Sequence, residues 1–180
     1  MKKTVIVFGL LSGVILSVWL VCSIAWCYGK GNFEGSMLLG YASMFVAFSL
    51  VFVGVKKYRD QYNRGIISFG KAFRTGLYIA LFASTMYVVT WLVDYYVFIP
   101  DFIDKYSASV LSKAQSGGAG AGEIAAKLKE IDMMKAMYRT PFMVVLFTYL
   151  EVFPVGLIVS VLTAWIVKRK TNGNRKMQLD

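Results

Sequence analysis

Histidine is absent from this 180-residue sequence, cysteine occurs twice and proline three times. Without histidine, the usual zinc, haem and catalytic-triad arrangements lose their commonest ligand or base. Cys22 and Cys27 lie five residues apart in one apolar run, so on a helix they point to different faces and cannot pair. They read as small packing residues. Charge is scarce too: only 17% of residues carry it, and those are bunched. No catalytic residue, cofactor site or metal site is expected from such a sequence, and enzyme chemistry is not.

What fills the chain is apolar. Hydrophobic residues make up 57% of it and the mean hydropathy is +0.58, above the usual range of a soluble domain. Long charge-free runs alternate with short basic patches, the pattern of a polytopic membrane protein. The formal net charge of +10 lies beside those runs. It therefore fits membrane orientation and lipid head groups as partners rather than nucleic acid.

Four runs, at about 4–28, 37–55, 72–99 and 141–167, are each long enough to cross a ~30 Å hydrocarbon core at ~1.5 Å per residue. The first follows Lys2 and Lys3 but is too long for a signal-peptide core and has no A-x-A-like site. Trp26 also stands before Cys27, where a lipidation site needs a small residue. An uncleaved span is expected. The connection after span two carries Lys56, Lys57, Arg59, Arg64, Lys71 and Arg74, and the tail carries Lys168, Arg169, Lys170, Arg175 and Lys176. The positive-inside rule then places both termini and that connection in the cytoplasm.

Between spans three and four, residues 101–138 hold apolar side chains at helical spacing, through Phe102, Tyr106 and Val110 and again through Ile124, Leu128, Ile131, Met134 and Tyr138. "SGGAGAG" separates the two halves as a break; it lacks the lysine and hydroxyl of a phosphate loop. The fold class expected is all-α: one membrane domain over 1–170, a four-helix transmembrane bundle with an extracytoplasmic helical hairpin, and a disordered basic tail at 171–180.

Three features bear on function. Small residues recur at four-residue spacing, as in Gly9, Gly13 and Ser17 or Gly156, Ser160 and Ala164, which suits close helix packing within the chain or a homo-oligomer face. The basic stretch between spans two and three forms a lipid-facing patch or a solvated connection, with Ser68 placed to cap the third helix. Two acids, Asp94 and Glu151, lie inside spans. At about 9 Å and 15 Å below the outer helix ends, they are expensive in hydrocarbon, by about 2.5–3.5 kcal/mol for Asp. Such residues face a bundle interior, and a polar cluster of Glu151, Asp94, Tyr87 and Thr90, beside Trp91, is expected. Pro154 removes an amide donor three residues on and should kink the helix.

The blocks "GYASMFVAFSLVFVGVKKYRD", "GIISFGKAFRTGLYIALFASTMYVVTWLVDYYVFIPDFIDKY" and "TYLEVFPVGLIVSVLTAWIVKRK" resemble domain-of-unknown-function family 4199, a bacterial membrane family. The resemblance extends over about residues 1–170 and implies a four-span protein of the bacterial inner membrane. It brings no site residues with it. Two functions are in view: a non-catalytic accessory subunit working with a membrane protein partner, and a proton- or ion-coupled transport component using Glu151.

Overall fold

The computed structural model describes residues 1–30, 37–63 and 65–168; Arg64 and the tail at 171–180 lie outside them. Among the described residues six α-helices follow one another: α1 Lys2–Lys30, α2 Met37–Tyr62, α3 Phe69–Val93, α4 Phe102–Ser116, α5 Ala121–Met137 and α6 Pro141–Val167. A π-helical turn, Asp94–Phe98, continues α3. Four of these segments are long and apolar enough to cross a membrane, namely α1, α2, α3 with its π turn, and α6. The chain is thus an integral membrane protein by composition and length, with the α4–α5 hairpin between spans three and four.

Helix α2 runs through the charges at which its apolar run ends, reaching Tyr62 rather than stopping near residue 55. Hydropathy marks where lipid contact stops, but helical hydrogen bonding continues, with Lys56 and Lys57 exposed and Val55 and Tyr58 turned inward. Helix α3 starts at Phe69, because Ser68 caps it by accepting from the Lys71 amide at 3.4 Å. Thr140 does the same for α6, accepting from Met143 at 3.4 Å, with Pro141 in the first turn. The expected break in the hairpin is an ordered helix cap. Gly118 takes φ +77, its amide donates to Gln115, and the Ala119 amide reaches back to Ala114, the Schellman pattern.

Helix α3 is the centre of the bundle, packing on α1, α6 and, less extensively, α2; α2 closes the other side against α1 and α6. The main core gathers Leu16, Phe48, Val51, Ile79, Ala80 and Val152. A second cluster at the hairpin end holds Leu20, Trp91, Ile99 and Val144. In lipid such cores are held by close packing rather than by exclusion of water, and the small-residue stripes provide it. A side-chain carbon at Gly9 would lie 2.9 Å from Phe82 Cβ, and one at Gly13 would lie 2.5 Å from Met86 Sδ, both on α3. The Gly9-xxx-Gly13 face is therefore used within the chain.

The basic stretch is divided. Lys56, Lys57, Lys71 and Arg74 are exposed, Lys71 donating to Asn63 at 3.0 Å. Arg59 is not part of any lipid-facing patch: it is buried, bonded to Asp60 at 2.6 Å and donating through Nη1 to the Val167 carbonyl at the end of α6, at 3.3 Å.

Candidate functional site

Helix α3 is tied to α1 and α6 by hydroxyl groups. The Thr90 and Ser17 hydroxyls share a 2.9 Å hydrogen bond to α1, and the Thr85 and Tyr149 hydroxyls share a 2.7 Å hydrogen bond to α6. Helices α1 and α6 do not pack extensively on each other. At the hairpin end the space between them is a cavity of about 260 Å³.

Glu151 and Thr148 reach this cavity from α6, Tyr87 and Trp91 from α3, Ser23 and Cys27 from α1, and Phe102 and Tyr106 of α4 form its cover together with Tyr138. Helical periodicity explains the α6 pair, since positions three apart share a face. Thr148 uses its proton on the Val144 carbonyl at 2.7 Å, leaving its lone pairs for the cavity. Glu151, Phe102, Tyr106 and Tyr138 also line an adjoining cavity of about 570 Å³ under the hairpin, whose other walls include Met133, Met134, Met137 and Glu130. Glu151 thus stands between an inner chamber and a vestibule. Among the described residues neither lining contains a lysine or arginine.

The sequence-derived cluster is distributed in a particular way. Glu151, Tyr87 and Trp91 share the chamber, whereas Thr90 is committed to Ser17. Asp94 is 9% exposed, is not in the chamber lining, and its Oδ2 has no hydrogen-bond partner among the described residues. It opens the π turn instead: its carbonyl accepts from the Ile99 amide at 2.8 Å, a five-residue step. Pro154 lies inside α6, which is helical on both sides of it. The sequence reading missed Phe102, Tyr106 and Tyr138 as site residues, because their helical spacing reads equally as the apolar side of the hairpin. Their aromatic character was the available signal.

Aromatic rings organise the cover. Trp91 meets Phe102 edge-on with centroids 5.3 Å apart and Tyr138 edge-on at 6.4 Å, while Phe102 and Tyr106 stack at 6.2 Å. Burial, and next the negative field of Glu151, push the Tyr138 phenol up to about 12, against a hydrogen bond from Trp91 that acts the other way. Tyr138 therefore stays a neutral donor at physiological pH. Among the described residues no three His, Cys, Asp or Glu side chains gather to hold a metal ion.

The rim is tied by Asp101, which accepts from Tyr28 on α1 at 2.8 Å and pairs with Lys105 at 2.7 Å. Those two hydrogen bonds, Lys105 first, hold its carboxyl below the usual carboxylate range. The contact is therefore fully present above the unfolded value and is lost as pH falls through the lowered one. Protection factors in α4, corrected for the intrinsic pH dependence of exchange, are expected to fall on acidification, and Asp101→Asn should reproduce the fall at neutral pH; protection equal to wild type would remove the tie.

No curated protein and no solved structure matches the chain. A family model does, over residues 7–169, and its description is "Protein of unknown function (DUF4199)". With its four apolar spans and intervening hairpin, the chain belongs to this DUF4199 family.

Proposed function

We propose that the chain is a non-catalytic membrane component that takes up a proton or small cation at Glu151. One observation carries the reading: a carboxylate within a span faces two adjoining cavities whose linings, among the described residues, hold no basic side chain. An acid kept at that cost and open to a chamber is suited to exchange a positive charge. With both termini in the cytoplasm of a bacterial inner membrane, as the distribution of basic residues favours, the vestibule is reached from the opposite side. Proteoliposomes under an imposed pH or cation gradient provide the test. Wild-type protein should dissipate the gradient and Glu151→Gln should not, and its carboxyl infrared band should change across a pH titration. Equal flux in both proteins with a pH-independent band would end the proposal.

The accessory-subunit reading draws on the hairpin. Helix α5 buries only Ile131 among its described residues and leaves Leu128, Met133 and Met137 exposed. If this face holds a partner, a stoichiometric companion should survive gentle solubilisation and be lost from Leu128→Glu, while recovery of the same companion from both proteins would exclude the face.

A further inference from the structure

The chamber is an unusual surrounding for an inorganic ion. Hard cations ask for a shell of oxygen ligands, and the lining supplies mainly rings: Tyr87, Trp91, Phe102, Tyr106 and Tyr138 around the single carboxylate of Glu151. The edge-on arrangement of Trp91 against both Phe102 and Tyr138, at interplanar angles of 87°, turns these ring faces in different directions, as the walls of a box. Ring faces carry negative electrostatic potential and attract cations whose charge is spread over alkyl groups.

Two lysines of the hairpin are engaged elsewhere. Lys105 is held by Asp101 and lies over the Tyr28 ring at 4.4 Å, and Lys135 pairs with Asp104 at 2.9 Å. An anion would meet Glu151 in the chamber and Glu130 in the vestibule. A neutral apolar guest would cover the Glu151 carboxylate, exposed in the free chain, and leave it without a partner. The remaining complement is an organic cation with an apolar skin.

We propose that the aromatic chamber around Glu151 binds an organic ammonium cation of about choline size, entering through the methionine-lined vestibule under the hairpin. The proposal rests on the cation-uptake reading of Glu151 and names the class of cation. The volume of about 260 Å³ admits a quaternary ammonium group with a short substituent. Glu151 supplies the counter-charge, the rings replace the weak hydration of the methyl groups, and Met133, Met134 and Met137 offer polarizable contacts on the way in.

The experiment is a calorimetric titration of the full chain in a non-ionic detergent, free of phosphatidylcholine, with choline and its uncharged isostere 3,3-dimethylbutan-1-ol. Choline should saturate one site, with the isostere at least about tenfold weaker. Glu151→Gln should weaken choline by about tenfold or more, and Tyr106→Leu by about three- to thirtyfold, the range of one ring–cation contact. Tyr106 is only partly buried on the hairpin, so its variant, checked by an unchanged thermal melt, keeps the test open if Glu151→Gln does not fold. Choline and isostere titrating alike, no saturation by choline, or choline affinity unchanged in both variants would each overturn the ammonium site. If the Glu151 infrared band still responds to protons in that event, cation uptake survives and only the ammonium assignment falls; a silent band removes both.

Discussion

Gly156→Leu is expected to lose most of its folded population in detergent, with a loss of stability of about 1–3 kcal/mol or more. The first carbon of the new side chain would lie 2.8 Å from Ala80 Cβ and 3.0 Å from the Phe48 ring, and Ala80 and Phe48 are fully buried. Ala80 has no rotamer with which to give way, so α3 and α6 must separate along the stretch where the main core is packed. Because Val152 and Val155 before it and Ala164 after it belong to that core, the damage spreads in both directions along α6. A side chain at Gly40 would meet nothing within 4 Å, so Gly40→Leu is the matched control. Thermal melts followed by size exclusion should show the first variant aggregating well below wild type and the second close to it. Equal melts would mean that the α3–α6 seam is looser than these distances.

Arg59→Met is expected to cost about 2 kcal/mol, the range of hydrogen bonds to a charged group. The side chain is only 10% exposed, so solvent does little to screen it. Its Nη1 donates to a terminal carbonyl of α6 that has no other donor among the described residues. Removing it also breaks this tie between the C-terminal ends of α2 and α6. Lys56→Gln and Lys57→Gln, one helical turn or less away but exposed, should stay within about 0.5 kcal/mol. Chemical or thermal denaturation of the three variants side by side decides it; a flat series would return Arg59 to the surface set.

The membrane spans were legible because charge-free length is a property of sequence alone, and the hairpin because its apolar spacing is helical. Charge count, by contrast, could not separate Arg59 from Lys56: which basic residue turns inward depends on where the end of α6 arrives in space. The glycine stripes announced close approach but not the partner, since Gly9 and Gly13 could meet another helix of the same chain or of another. Depth arithmetic brought Glu151 level with Tyr87 and Trp91. It could not tell that Thr90 leans the other way toward Ser17, because azimuth depends on bundle order. Phe102, Tyr106 and Tyr138 stayed hidden for a related reason, since their role arises only when the hairpin folds back over the space between α1 and α6.

The five-residue hydrogen-bond step at Asp94 amounts to one extra residue inserted in a helix, placed where span three gives way to the hairpin. Each residue of an α-helix turns the chain by about 100°, so the azimuth at which the hairpin departs is set by that single insertion. Deleting Val97 and restoring an ordinary helical register would send Phe102 and Tyr106 off around the helix axis by more than a quarter turn. The lid would then face away from the opening it covers, although the span beneath it kept every apolar residue but one.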